Sequence, residues 1–288
     1  ELPYERLQHM NPRAIDLYGE NGIDLREPLE VAVCAQHANG GLRGNIWWET
    51  SIPHLFAVGE VNGTHGVRPG GSALNSGQVG AMRAAQYIAN VYKQGPRPLA
   101  GFVETVRDQV ARQHTEYAWY LDGGTGALDI ATIRPAIQER MTQYAAFLRR
   151  REDISYALAE AKDLYDAVLR YGIRCRKRSQ LARATEDKHL ALTSIAFLET
   201  MRYYIENGGG SRGAYMVLDN DGDLVVESKG GPELRHRSEN MHKRGEILET
   251  VQLPDSPGAF NVEPVAPRPL PEDDSWFENT WAAWDAGH

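Results

Sequence analysis

The chain has 288 residues, 42% of them hydrophobic, with 31 Lys and Arg against 39 Asp and Glu for a formal net charge of -8. That length suffices to bury a core in one large domain or two modest ones, and the acidic balance leaves no broad cationic face for phosphates, which argues against nucleic acid as a partner. Cys34 and Cys175 are its only cysteines, too few and too far apart for a disulfide framework or a thiolate metal site, so no metal is expected and a reducing, cytoplasmic setting is the default.

In chain order, "NPRAIDLYGENGIDL" predicts a short helix with Pro12 in its first turn and a stop near Gly22. "EPLEVAVCAQH" predicts a strand ending at His37, and "SIPHLFAVGE" a second strand ending at Glu60. A helix is expected from Ser72 to about Gln94, with Gly77, Gly80, Ala81, Ala84 and Ala85 as a face without bulk that lets it approach a sheet. Pro96 and Pro98 mark a boundary. Four long helical patterns follow: "LAGFVETVRDQVARQHTEYAWYL", "IRPAIQERMTQYAAFLRR", "DISYALAEAKDLYDAVLRYG" and "DKHLALTSIAFLETMRYYIE". In the last, Leu190, Ser194, Leu198, Met201 and Ile205 form a stripe that places it centrally in a bundle.

Beyond the bundle, "YMVLDNDGDLVVES" predicts a hairpin turning at Asn220 to Gly222. "LPDSPGAFNVEPVAPRPLPEDD" is too rich in proline for a helix or a central strand and is expected to lie extended on a surface. A final short helix carries Phe277, Trp281 and Trp284, expected to dock the C-terminus. No apolar run approaches the ~20 residues that span a bilayer. The opening "ELPYERLQHM" lacks a signal-peptide core, and residue 1 is Glu rather than Met, so the chain is expected to be a fragment.

Two motif-like runs fail on spacing or context, and two further motifs are absent. "GGGSRG", Gly208 to Gly213, fits G-x-G-x-x-G by letter, but it follows a helix and precedes a hairpin where the dinucleotide fingerprint follows a strand and opens a helix; a flexible helix terminus is expected. "DNDGDL" has its glycine fourth where a calcium loop needs it sixth, and reads as a turn. No H-x-x-x-H pair or G-x-S-x-G elbow supports zinc or serine hydrolysis.

Chemistry concentrates in "LFAVGEVNGTHGVRPGGSALNSGQVGAMRAAQYI", residues 55 to 88. A carboxylate at a strand's C-terminal end, as read for Glu60, is placed to accept hydrogen bonds from a ribose diol. Main-chain amides from Gly70 to Leu74, followed at once by a helix N-terminus, form an anion-friendly concavity. Such a helix end would favour the reduced state of a flavin, whose N1 and C2 carbonyl become negative on reduction.

The run "HANGGL…SIPHLFAVGEVNGTHGVRPGGSALN" resembles the C-terminal flavin-binding segment of the succinate dehydrogenase and fumarate reductase flavoprotein family, which includes L-aspartate oxidase. The family pattern is a His, a double glycine, an apolar strand ending in Gly-Glu, then His-Gly, an Arg, and a Gly/Ser/Asn loop opening a helix. "SRGAY" at Ser211 to Tyr215 resembles the usual Glu-Ser-Arg-Gly-Ala-His of its helical domain. The resemblance runs from residue 11 to about 215 and is strongest over 31 to 88.

It implies that Gly59 and Glu60 contact FAD, with Glu60 on the ribose, and that the backbone of Gly70, Gly71, Ser72, Ala73 and Leu74 meets the isoalloxazine ring. His37 and Arg68 would hold substrate carboxylates, and His65 would shape the loop. Arg212 would tie the bundle to the adjoining loop. Two departures touch the substrate side: two residues rather than three separate His37 from the double glycine, and "HGVR" is one residue shorter than His-Gly-Ala-Asn-Arg.

The fold class implied is α/β plus α. Residues 1–36 would end a capping domain, 37–95 would complete an FAD-binding domain, 96–212 would form a helical bundle, and 213–288 a hairpin and extended tail. The function implied is an FAD-dependent oxidoreductase exchanging hydride between flavin and a small carboxylate, with L-aspartate oxidase-like amino acid oxidation as an alternative. A third reading, from a different class, is a non-catalytic helical module docking an iron-sulfur subunit. Expected partners are the N-terminal half of the same enzyme, which carries the G-x-G-x-x-G and the proton donor, and an iron-sulfur subunit or a second copy, through which any membrane association would run. The fragment alone is expected neither to hold FAD firmly nor to turn over.

Overall fold

The computed structural model describes residues 3–30, 40–63, 72–95, 98–227, 231–267, 269, 272 and 275–286. The chain divides into two compact units, Glu1–Pro96 and Arg97–His288.

The first unit opens with α1 (Pro3–Met10), which the sequence pattern had not signalled, and α2 (Pro12–Glu20). Pro12 sits in the first turn of α2, where its missing N–H costs nothing, and Gly22 at φ +75 follows the helix end. Of the strand expected to end at His37, residues 28–30 have no regular structure and 31–39 lie outside the described residues.

The strand expected over 51–60 does not form. Ile52 N donates to Thr50 Oγ1 (3.1 Å) and Thr50 N to Leu55 O (2.8 Å), so the chain folds back on itself around Pro53. One antiparallel bridge, Glu49 to Phe56, is what remains of pairing there. His54 adopts φ +69, incompatible with a continuous strand. The chain then enters a single 3-10 turn, Gly59–Val61, and after it α3 (Ser72–Val91).

The second unit is built on α4 (Leu99–Asp122), α5 (Ile130–Ala145), α6 (Arg151–Tyr171) and α7 (Leu181–Glu206). Gly123 in the left-handed conformation closes α4, and Asp129 caps α5 by accepting from Ala131 N at 2.9 Å. Ile133, Ile154, Ala157, Ala161, Ile195 and Leu198 are wholly buried between α5, α6 and α7; each large aliphatic among them contributes about 1.5–3 kcal/mol. The register of α7 differs slightly from the sequence stripe. Ser194, Leu198 and Ile205 are buried with Ala184, Ala191 and Ile195, whereas Leu190 is 40% exposed.

Two parallel pairings tie the bundle's connections together: β1 (Leu128–Asp129) with β3 (Ile173–Arg174), and β2 (Leu148–Arg149) with β4 (Met216–Val217). The local hairpin expected over 215–228 is replaced by a different pairing. Its turn exists, with Gly222 N donating to Asp219 O at 3.0 Å, but β5 (Leu224–Val226) pairs with β6 (Leu234–His236), and Leu218 bridges to the same His236. Arg237 secures the turn by its ion pair with Asp219.

The "GGGSRG" run is packed tightly. A Cβ on Gly209 would meet the Tyr204 ring at 2.3 Å, and one on Gly210 would fall 1.8 Å from Ser238 O; close backbone approach is what these glycines permit. The proline-rich tail holds one real strand, since β7 (Ile247–Gln252) and β8 (Phe260–Val265) pair antiparallel over six positions, with Pro264 opposite Leu248. A two-stranded ribbon has only edges, so the proline is tolerated. α8 (Trp276–Asp285) is the last helix of the described chain; of the three aromatics expected to dock it, Trp281 is 64% exposed, and the side chains of Phe277 and Trp284 lie outside the described residues.

Candidate functional site

Glu60 rides at the middle of the Gly59–Val61 turn, and its side chain is exposed. The turn is held by a clasp to the double-glycine loop. Leu42 N donates to Val61 O at 2.7 Å and Gly63 N to Leu42 O at 2.9 Å, a parallel bridge centred on Leu42 and Asn62. No side chain fits inside it: a Cβ on Gly41 would lie 2.3 Å from Val61 O, and one on Gly63 2.6 Å from Gly41 N. Behind the clasp Asn62 is 1% exposed and donates through Nδ2 to Ala57 O at 3.0 Å. Gly44 is needed there too, since its Cβ would strike that amide at 2.3 Å.

α3 packs onto this turn through its small residues. A Cβ on Gly77 would sit in ordinary contact, 3.5 Å from Gly59 Cα, whereas one on Gly80 would enter the Trp48 indole at 2.5 Å. Ala84 is buried on the same side, but Ala81 and Ala85 are exposed, so the bulk-free face is Gly77, Gly80 and Ala84. It meets the 42–63 loop among the described residues. From Gly77 back to Ser72 is roughly 7–8 Å along the helix axis, which places the α3 N-terminus in the neighbourhood of Glu60. Leu74, 74% exposed, lies in that first turn. His37, Arg68, Gly70, Gly71 and His65 lie outside the described residues, as does Cys34; Ser72 and Ala73 are placed by their backbone in α3.

A cluster of aromatic rings, unsignalled by the motif reading, braces the other half of α3. Trp47 stacks on Tyr87 with centroids 5.6 Å apart, Tyr87 meets Tyr92 edge-on at 5.7 Å, and Arg83 lies 4.8 Å over Trp47. Such contacts each contribute about 0.5–1.5 kcal/mol beyond burial. The readable signal was the i, i+5 pair of tyrosines, Tyr87 and Tyr92, facing "WW" at 47–48.

Tyr92 also donates its hydroxyl to Glu49, whose carboxylate further accepts from His54 N at 3.1 Å. This hydrogen bond holds the Tyr92 phenol protonated up to about 12 and Glu49 below its usual range. Because the folded phenol titrates above the unfolded value, its contribution is complete below pH ~10 and is lost as pH rises through the folded value. Burial also raises Tyr120, Tyr165 and Tyr215, and the charge of Glu160 raises Tyr156, so ultraviolet titration should show a group of late-ionising tyrosines, and Tyr92→Phe should remove one phenol from that group.

In the second unit Arg212 pairs with Glu239 at 3.4 Å and forms a tight exchange of backbone hydrogen bonds with Tyr215, which ties the α7 exit to the 239–245 segment. Cys175 is buried, and burial raises its thiol pKa, the opposite of a reactive cysteine. No group of His, Cys, Asp and Glu among the described residues could hold a metal, and no described helix is long and apolar enough to cross a membrane.

No protein-family profile matches the chain. Individual proteins do. A fumarate reductase (CoM/CoB) subunit of Methanothermobacter marburgensis is 32% identical over 170 residues, 58% of this chain and 29% of that protein. L-aspartate oxidase of Nostoc sp. is 27% identical over 238 residues, 80% of this chain and 38% of the relative. A solved structure of E. coli quinol fumarate reductase superposes with a TM-score of 0.66 at 21% identity, covering 95% of this chain and 44% of that one. The fold is thus the mixed helix and strand fold of the fumarate reductase flavoprotein. The chain is homologous to the fumarate reductase and L-aspartate oxidase flavoproteins and corresponds to their C-terminal portion. It spans less than two fifths of the length of the two curated relatives.

Proposed function

We propose that this chain forms the C-terminal portion of an FAD-dependent oxidoreductase acting on a small carboxylate. The observation that carries the reading is the pinned turn: a glycine clasp fixes Glu60 at the surface, and α3 is laid against the same turn with its N-terminus nearby. The donor set fits the cofactor. An exposed carboxylate accepts from a ribose diol, and the 20-residue α3 presents the positive end of its dipole. FAD, when bound, supplies the hydride acceptor or donor.

In this proposal Glu60 and Gly59 take the ribose, and the backbone from Gly70 to Leu74 meets the ring system. Arg68 holds a substrate carboxylate through its fork and His37 assists, keeping the reacting carbon in place. Residues 1–36 end a capping domain, 37–95 complete the FAD domain, 96–212 form the bundle, and 213–288 cover it. The bundle offers the docking surface for an iron-sulfur protein or a second copy; that the Methanothermobacter relative is named as one subunit of its enzyme supports this.

Similarity to L-aspartate oxidase favours a second reading, oxidation of an amino acid. Turnover of the whole protein with succinate, fumarate and L-aspartate, coupled to a redox dye, separates the two. For the shared premise, Glu60→Ala should weaken FAD retention about tenfold, the worth of one charge-assisted hydrogen bond of ~1.4 kcal/mol. Flavin content equal to wild type would remove Glu60 from the site.

A further inference from the structure

The second unit contains a cavity of about 220 Å³ beside α7, lined by Arg149, Arg212, Lys243 and Glu246 together with Tyr204 and Tyr215. Three cations thus face one carboxylate. Two of them are already matched: Arg212 by Glu239 at 3.4 Å and Lys243 by Glu246 at 2.8 Å. Glu239 is in turn neutralised by Arg244 at 2.7 Å.

Arg149 is different. Its Nε donates to Ala145 O (3.0 Å) and Ala146 O (2.9 Å) at the end of α5, and its guanidinium lies 3.9 Å over the Tyr215 ring. Tyr215 is itself braced edge-on by Tyr204, whose hydroxyl donates to Gly210 O at 3.1 Å. The guanidinium plane is therefore fixed on one edge and one face. Among the described residues neither terminal nitrogen donates a hydrogen bond and no carboxylate pairs with it. Burial lowers its pKa, offset only in part by the neighbouring Tyr215 and Tyr204 phenols and by no carboxylate among the described residues. A preoriented, half-buried fork without a counter-ion is costly to keep, and the group that matches it best is a planar carboxylate bound through two parallel N–H donors.

The rest of the cavity narrows the class. Met201, Ile205 and Leu248 supply an apolar wall, which suits a short hydrocarbon tail and not an inorganic phosphate. Glu246 in the lining opposes a second negative charge. We propose that this cavity binds a small organic monocarboxylate, its carboxylate on Arg149 and its tail against Ile205 and Leu248. The cavity lining shares no residue with the set proposed for flavin and substrate, and the proposal does not rest on that reading.

Sodium butyrate is the probe, with sodium chloride at equal ionic strength as control, read by saturation-transfer NMR and by thermal unfolding. Butyrate should show saturation transfer to its methyl protons and raise the unfolding temperature by roughly 3 °C at tenfold excess over its Kd. Arg149→Met should abolish both signals, and Arg149→Lys should retain only part of them. Because Arg149 also anchors the end of α5, Leu248→Trp serves as an independent variant that fills the cavity and leaves the arginine in place; it too should lose binding. Equal butyrate signals in wild type, Arg149→Met and Leu248→Trp would overturn the proposal, as would no butyrate signal in wild type or a larger response to inorganic phosphate than to butyrate. Arg68→Gln should leave binding intact. Loss of binding in that variant, with retention in Arg149→Met, would instead place the carboxylate on the segment proposed for substrate and overturn the cavity assignment.

Discussion

Arg134→Met is expected to destabilise the helical unit by about 3 kcal/mol, more than Asp187→Asn at the other end of the same ion pair. Asp187 is wholly buried on α7. Its Oδ1 accepts from Arg134 Nε at 2.6 Å, and among the described residues its Oδ2 has only Arg183 at 3.5 Å. Removing Arg134 leaves a carboxylate inside the bundle with one distant cation, and an uncompensated buried charge typically costs about 3–5 kcal/mol; Arg183 moderates that figure. Removing the charge on Asp187 instead leaves two arginines that are 29% and 49% exposed, with Arg134 still paired to Glu186 at 2.8 Å. Both can turn toward water, so the cost falls to about 1–2 kcal/mol, that of a lost charged hydrogen bond. Urea unfolding followed by circular dichroism gives the two values. The reverse ranking would mean that the arginine's desolvation, and not the carboxylate's, sets the energetics of this pair.

What the sequence disclosed and what it concealed follow from how local the determining forces are. α4 to α7 each run 16 to 26 residues, and over that span a 3.6-residue apolar period outweighs any short competing pattern. The start of α3 at Ser72 was likewise legible, because glycines give way there to residues that favour a helix. Strand pairing was not, since a strand is stabilised by a partner that the local sequence does not name. Leu224 to Val226 resemble the second arm of a hairpin, yet their partner is Leu234 to His236, further along the chain. The failed strand at 51–60 has another cause. His54 takes φ +69 without being glycine, a backbone state that residue-type rules do not anticipate. At the candidate site, the Gly77, Gly80 and Ala84 part of the α3 face was legible, while the 3-10 turn that carries Glu60 in place of a strand end, the clasp role of Gly41 and the buried Asn62 were not, because each depends on backbone contacts between segments distant in sequence.

That clasp sets the last expectation. Gly41→Ala should reduce FAD retention by the whole protein at least about tenfold while leaving the unfolding of the helical unit unchanged; Gly40→Ala, one residue away, should do neither. The difference lies in what a methyl group would meet. At Gly40 no atom of the described residues lies within 4 Å, whereas at Gly41 the Cβ would fall 2.3 Å from Val61 O and 2.8 Å from Gly63 N. Both are backbone atoms, so no side-chain rotation relieves the clash, and the two strands of the clasp must part. Parting them breaks the hydrogen bonds from Leu42 N to Val61 O and from Gly63 N to Leu42 O, worth about 1 kcal/mol each. Glu60 precedes Val61 directly and would move with it, and a displacement of ~1 Å is enough to spoil a directional contact to a ribose diol. The measurement is flavin absorbance per mole of purified protein for the three forms. Equal flavin content in Gly41→Ala and Gly40→Ala would mean that the position of the Glu60 turn does not govern cofactor binding, and the proposed role of that turn would fall with it.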